Sequence, residues 1–271
     1  MRIALKALGR KTILVIPACC WTVIDGPSPY SAAGVPVMHA PFPSAAAAAT
    51  GVRAALDLQG DTDTTVCAWA GDGGTFDIGI QALSAAAERN ENILYVCYDN
   101  EAYMNTGVQR SSATPLGAWT TTTPGAHIKD QPKKDLLAIM AAHRIPYAAT
   151  ASVAFPDDLA AKISKARSIK GTRFLHVLAP CPPGWKIPSD RAIKAARMAV
   201  QARVFPLVEI ERGTTWRLTL DPGRIALEDY LKDQGRFRFL LDNPPALEAA
   251  RAAVEERWRE IVGRTGRAMC G

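Results

Sequence analysis

No stretch of this chain approaches the ~20 consecutive apolar residues of a bilayer-spanning helix, which excludes a helical membrane span. Cysteine is scarce and irregular: Cys19, Cys20, Cys67, Cys97, Cys181 and Cys270 do not form the regular spacing of a secreted disulfide framework. Cys67 and Cys97 fall inside apolar runs, where a small inert thiol is expected. His127, His143 and His176 have no sequence neighbours that suggest a metal site or a catalytic triad. The common phosphate loops are missing too. No Gly-x-x-x-x-Gly-Lys-Ser/Thr occurs, and Gly71 to Phe76 does not complete Gly-x-Gly-x-x-Gly. The net charge of +6 is modest. Arg and Lys thicken around 236–267 without a nucleic-acid recognition motif, which reads as a solvated face or a contact with an acidic subunit. The start, Met1 to Lys11 followed by Ile13 to Cys19, has too short an apolar stretch for a leader and carries Arg10-Lys11 directly before it. A short helix and a first strand are expected there, and a cytoplasmic location with them.

What is present is an ordinary globular composition, 48% hydrophobic and 21% charged, in 271 residues, enough for one large core or two small ones. Helices are expected over 2–8, 44–58, 77–88, 135–143, 156–165, 189–202 and 245–261. Strands are expected over 12–16, 66–70, 93–98, 147–150 and 173–178, and a hairpin over 204–218. Residues 19–43 read as a Pro- and Gly-rich loop. Residues 101–132 read as a long segment with little periodicity, and such segments are usually functional or disordered. The alternation of strands and helices argues for an α/β fold, a parallel sheet flanked by helices.

The centre of the sequence is one βαβ unit. Val66 to Ala70 leads into Gly71-Asp72-Gly73-Gly74-Thr75, and Ile93 to Tyr98 leads into Asp99-Asn100-Glu101-Ala102. Both polar segments then leave the carboxyl ends of neighbouring parallel strands, where open α/β sheets bind ligands. The glycines let backbone approach a phosphate. Asp72 and Asn100 bring oxygen ligands to one point, which suits Mg²⁺ bound together with substrate phosphates. Taken alone, Gly-Asp-Gly is usually a turn and Asp-Asn a loop start.

The longer run Gly71-Asp-Gly-Gly-Thr-Phe-Asp-Ile-Gly-Ile-Gln-Ala-Leu-Ser-Ala, with Tyr95-Val-Cys-Tyr-Asp-Asn-Glu-Ala-Tyr-Met-Asn-Thr-Gly-Val-Gln-Arg-Ser-Ser-Ala-Thr-Pro, resembles the thiamine diphosphate-binding β subunit of pyruvate:ferredoxin oxidoreductase and its relatives acting on other 2-oxo acids. Ile145 to Ser152, Leu178-Ala-Pro-Cys-Pro-Pro-Gly-Trp185 and Gln234 to Phe239 agree with it. The resemblance implies Mg²⁺ and thiamine diphosphate. Asp72, the Asn100 side chain and the Ala102 carbonyl would hold the metal, and Gly71, Gly73, Gly74 and Thr75 would line the phosphates. Asn105, Thr106 and Gly107 would lie by the thiazolium, with Asn105 the candidate catalytic residue. His39 is a weaker candidate near the cofactor, and Arg110 for a substrate or coenzyme A contact. The implied reaction is oxidative decarboxylation of a 2-oxo acid, pyruvate first, to acyl-CoA and CO2, with electrons passing through iron–sulfur clusters to ferredoxin. The implied partners are an α subunit with the aminopyrimidine-binding module, a γ subunit and a ferredoxin-like δ subunit. Residues 1–205 would be the cofactor-binding domain and 206–271 a C-terminal extension contacting other subunits.

The cysteines depart from this family. Its members hold a 4Fe–4S cluster with four thiolates, of which Cys20 and Cys181 match two; Cys19 is an adjacent alternative, and the Cys-x-x-Cys that should precede the first helix is missing. Either Met1 is an internal Met with the true N-terminus upstream, as expected here, or the cluster has been lost. Loss would suit a non-oxidative thiamine diphosphate-dependent 2-oxo acid decarboxylase subunit. A non-catalytic scaffold is a third reading, opposed by the paired ligands Asp72 and Asn100.

Overall fold

The computed structural model describes residues 1–27, 29–125, 127–223 and 225–266, so Cys270 lies outside the described residues. Eight strands form one sheet: β1 (Thr12–Pro17), β2 (Val37–Ala40), β3 (Thr65–Gly71), β4 (Leu94–Asp99), β5 (Tyr147–Ser152), β6 (Arg173–Leu178), β7 (Val208–Glu211) and β8 (Thr215–Leu218). Their order is β2-β1-β3-β4-β6-β5-β7-β8. The first six run parallel, while β7 is antiparallel to β5 and β8 to β7. Strands of a parallel sheet covered on both faces read as unbroken apolar runs, and β3, β4, β5 and β6 are buried along their whole length.

Ala-rich faces let the covering helices sit close to the sheet. Ala45–Leu58, Ile80–Glu88 and Leu136–Ala142 pack on one face, joined by Ile261 and Val262 from the long helix Pro244–Arg264. Arg2–Leu8 and Pro156–Ser168 cover the other. The sheet continues past residue 205, because β7 pairs with β5 and 206–218 supplies its last two strands. Among the described residues no helix is long and apolar enough to cross a membrane.

Two expectations are corrected by tertiary contacts. The loop expected over 19–43 contains a helix, Cys20–Ile24, and the edge strand β2. Cys19 and Thr22 cap that helix reciprocally, and β2 is held by register with β1, Leu14 opposite Val37. The helix expected over 77–88 starts later: Gly73–Ile78 forms a wide π turn, and the α-helix runs Ile80–Glu88. Gly79 permits that turn, because a Cβ there would lie 2.1 Å from the Gly74 carbonyl oxygen. In the hairpin β7–β8 the turn carries Arg212 and Gly213 at φ 51° and 72°, the handedness that matches twisted strands. Among the described residues, 101–132 hold no helix or strand, only the isolated bridges Tyr103–Gln109 and Thr120–Thr123.

The topology places the site. β1 is followed by β2 on one side and flanked by β3 on the other, so the order reverses between β1 and β3, where open α/β sheets bind ligands. Register sets Gly71 opposite Tyr98 and Asp99 opposite Leu178, so Cys20, Asp72, Asn100 and Cys181 all leave the same edge of the sheet.

Candidate active site

Asp72 follows β3 and Asn100 follows β4, and both side chains are buried. One terminal atom of the Asn100 amide lies 2.9 Å from both Asp72 Oδ1 and the Ala102 carbonyl oxygen. Turned one way, Nδ2 donates to both. Turned the other way, Oδ1 meets two oxygens, and about 2.9 Å is the spacing of adjacent ligands around an octahedral cation with bonds near ~2.1 Å. The second Asp72 oxygen, Oδ2, accepts from Ser111 Oγ at 2.7 Å. Among the described residues no three His, Cys, Asp or Glu side chains gather as a metal site. The donor set here is instead one carboxylate, one amide and one carbonyl, the hard oxygens Mg²⁺ takes.

The turn that aims these oxygens is braced from behind. Glu101 has φ 70°, a left-handed conformation unusual for a residue with a side chain, and it folds Ala102 back toward Asn100. Its N–H donates to Asp99 Oδ1 at 2.9 Å and its carbonyl accepts from Thr114 Oγ1 at 2.7 Å. Trp185 Nε1 donates to the Asn100 carbonyl at 2.9 Å. Lys133 Nζ lies 2.5 Å from Asp99 Oδ2 and 2.8 Å from Glu101 Oε1. Arg236, stacked on Trp185, lies 2.7 Å from Glu101 Oε2. His176 Nε2 meets Asp99 Oδ2 at 2.6 Å.

Burial pulls the His176 imidazole below its ordinary range, so it stays neutral and donates to Asp99. Burial pushes Asp99 up, but Lys133 and His176 outweigh it and hold the carboxyl at about 2. Asp72 has no cation against it. Burial first, then the Asp99 charge, raises its carboxyl well above the ordinary range. Three buried carboxyl groups therefore face two cations among the described residues, and Asp72, beside the converging oxygens, is the one with neither against it.

The glycine turn is close-packed. A Cβ on Gly73 would lie 2.3 Å from the Tyr103 ring, and one on Gly74 3.1 Å from Phe42. Tyr103 is fixed in turn by donating to Asp77 Oδ2 at 2.7 Å, which also accepts from the Ser112 N–H at 3.1 Å. Thr75, expected at the phosphates, turns its hydroxyl inward, donating to the Gly71 carbonyl at 2.6 Å and lying 3.2 Å from the Tyr95 hydroxyl. Only its backbone is left to line the turn. Asn105, Thr106 and Gly107 form an exposed loop. Burial pushes the Cys20 thiol up, and Cys181 and Cys19 nearby push it further. Thus Cys20 and Cys181 come together beside the oxygen site. His39 pairs with the buried Asp25 at 3.7 Å instead. Arg110 is exposed, and its N–H donates to Thr122 Oγ1.

Sequence reasoning missed Ser111, Lys133, His176 and Arg236. Ser111 adjoins the weak candidate Arg110, and nothing local separates it from any loop serine. The ionic brace joins residues 32 to 135 positions apart, with no short-range signal.

Comparison with known proteins adds the following. The family described as thiamine pyrophosphate enzyme, C-terminal TPP binding domain, matches residues 22–177. Ketoisovalerate oxidoreductase subunit VorB of Pyrococcus abyssi is 48% identical, the match covering 96% of this chain and 86% of that one. Pyruvate synthase subunit PorB of Methanothermobacter marburgensis is 47% identical, covering 91% and 86%. A solved 2-oxoglutarate:ferredoxin oxidoreductase from Magnetococcus marinus, with 2-oxoglutarate, coenzyme A and succinyl-CoA bound, aligns with TM-score 0.58 and 25% identity over 72% of this chain and 71% of that one.

Proposed function

The chain belongs to the thiamine pyrophosphate-binding β subunits of the 2-oxoacid:ferredoxin oxidoreductases, and from that membership we propose that it holds the diphosphate half of a site for oxidative decarboxylation of pyruvate. The products are acyl-CoA and CO2, and ferredoxin takes the electrons. The observation that carries this reading is the meeting of Asp72 Oδ1, the Asn100 amide and the Ala102 carbonyl at 2.9 Å, with the Asp72 carboxyl buried.

Asp72, Asn100 and Ala102 would hold Mg²⁺, and the backbone of Gly71, Gly73, Gly74 and Thr75 would receive the diphosphate. The cofactor supplies a nucleophilic carbon that accepts the electrons released with CO2; the protein's part is binding, orientation and field. Ser111 keeps Asp72 turned toward the metal. Asn105 would lie toward the reacting end as the candidate catalytic residue, with Thr106 and Gly107 beside it. Arg110 offers a guanidinium to a substrate or coenzyme A anion. Cys20 and Cys181 offer two thiolates to a 4Fe–4S cluster, which needs two more ligands from beyond the described residues. The α subunit would bring the aminopyrimidine half, and γ and δ subunits the onward electron path. Residues 206–271 would contact these partners, in the cytoplasm.

The shortage of thiols favours a second reading, a non-oxidative decarboxylase subunit. One experiment separates the two: viologen reduction by the native co-purified complex over a panel of 2-oxo acids, with and without coenzyme A. The panel includes branched-chain acids, because identity to the VorB and PorB relatives differs by one percentage point. Coenzyme A-dependent reduction with one acid is expected. CO2 release without reduction would replace this reading with the decarboxylase, and neither product would refute both.

A further inference from the structure

At the edge of the sheet opposite the proposed cofactor site, the amino-terminal ends of β3 and β6 enclose a second polar cavity of about 60 Å3. It is lined by Thr62, Thr64, Asn92, Arg167, Lys170 and Arg173, with Thr65 and Asp63 beside them. Arg173, the first residue of β6, is 3% exposed. Its guanidinium bonds only neutral oxygens: Nε donates to the Ala166 carbonyl at 3.1 Å, and Nη1 donates to Asn92 Oδ1 at 2.6 Å and to the Gly171 carbonyl. Those bonds use three of its five N–H protons, and none of them neutralises its charge. The helix end that supplies Ala166 carries only partial negative charge.

A buried cation without a counter-ion is costly. Burial, with the nearby Arg53 adding to it, lowers the Arg173 guanidinium to about 10. The cations around the cavity add to the deficit. Arg53 is itself buried, and its ion pair with Asp57 at 2.9 Å uses the acid nearest to it. Lys170 Nζ donates to the Thr62 carbonyl at 2.8 Å, again a neutral oxygen. The one acid in the lining, Asp63, is exposed and already paired with Lys11 at 3.1 Å. Arg173 Nη2 takes no part in these bonds, and the cavity that Arg173 lines has room for several waters or one compact anion.

We propose that this cavity binds a tetrahedral oxyanion, inorganic phosphate or the terminal phosphoryl group of a larger molecule, between Arg173, Arg167 and Lys170. On the facing side the Thr62 and Thr65 hydroxyls are the donors, because the Asp63 and Thr64 N–H groups and the Thr64 hydroxyl already donate to Asp61 and the Thr65 N–H to the Lys11 carbonyl. Arg173 is the buried anchor and the two exposed cations close the mouth, an arrangement of charge-assisted bonds suited to phosphate. The site is independent of the decarboxylation chemistry. It lies at the other end of the strands, and its occupancy would set the rigidity of the loops entering β3, β4 and β6.

The test is thermal unfolding of the purified complex, with thiamine diphosphate and Mg²⁺ saturating so that the cofactor site is filled. Inorganic phosphate is titrated at constant ionic strength against chloride, and AMP is titrated as a phosphomonoester. A saturable rise in midpoint with phosphate and not with chloride is expected, as for any ligand binding only the folded state. Arg167→Gln/Lys170→Gln, which leaves the buried anchor intact and therefore folds, should weaken the apparent affinity on the order of tenfold or more. An equal response to AMP assigns the site to a phosphoryl group of a larger molecule; a response to phosphate alone assigns it to the free ion. Overturning results are no rise in midpoint, a rise matched by chloride, or the same rise in the double variant.

Discussion

Lys133→Met tests the ionic brace behind the site. Lys133 touches Asp99 at 2.5 Å and Glu101 at 2.8 Å, and its side chain is 21% exposed. Methionine keeps most of the packing against the rings of Phe76 and Phe205, which lie 6.0 and 5.8 Å from Nζ, and removes only the charge. Removing one partner of a buried pair costs about 3–5 kcal/mol; the residual exposure favours the lower end, about 3 kcal/mol. With an unfolding entropy of ~2.1 cal/mol/K per residue over this chain, that is a fall in Tm of about 5 °C.

The pH dependence identifies the cause. In the parent, the Asp99 carboxyl is held at about 2, below its unfolded value of 3.8. Its stabilising contribution is therefore complete above pH 3.8 and is lost as pH falls toward 2. In the variant the folded value rises, because burial is no longer opposed by Lys133, so Asp99 takes up a proton at higher pH. The gap between the two proteins should be widest at pH 7 and narrow as pH falls through 5 toward 4. Calorimetric melts at pH 7, 5 and 4 measure this, and Lys133→Arg, which keeps the charge, should recover most of the loss. A Tm within 1 °C of the parent at pH 7, or a gap that does not close in acid, would refute the account of the brace.

Asp72→Ala removes the one carboxylate of the oxygen site, and titration calorimetry of the complex with Mg²⁺ and thiamine diphosphate should show no binding; retained affinity would remove the metal assignment. Ser111→Ala deletes the 2.7 Å bond to Asp72 Oδ2. A hydrogen bond to a charged group contributes about 1.5–3 kcal/mol, so cofactor affinity should fall by about tenfold or more in the same assay while Tm falls little. Gly79→Ala places a methyl against the Gly74 carbonyl, where no side-chain rotation relieves it. Overpacking of this kind costs about 1–3 kcal/mol, read as a lower Tm together with weaker cofactor binding, because the strained turn is the one proposed to receive the diphosphate.

Much of this protein was legible in one dimension because its signals are local. The unbroken apolar runs of β3, β4 and β6 specify buried parallel strands. Gly71-Asp72-Gly73 and Asp99-Asn100 each lie directly after a strand, and the rule that ligands gather at carboxyl ends brings the two together without coordinates. Elements that depend on partners far along the chain were not legible in the same way. β2 is four residues in a Pro-rich stretch and becomes a strand only by pairing with β1. The turn at 73–78 widens into a π turn because Gly79 lies against Gly74, which no periodicity reports. Thr75 stands in the motif, but the Gly71 carbonyl and Tyr95 draw its hydroxyl inward.

The sequence by itself determined strands β1 and β3 to β6, the covering helices, the family and the placement of Asp72 and Asn100 after neighbouring strands, since these follow from residue type, order and short spacing. Only the tertiary structure decided how the donors are held and charged. The left-handed turn at Glu101, the brace of Lys133, His176 and Arg236, and the uncompensated Arg173 at the far edge all arise from Coulomb and desolvation energies. Those energies depend on distance and burial in three dimensions and leave no mark on neighbouring letters.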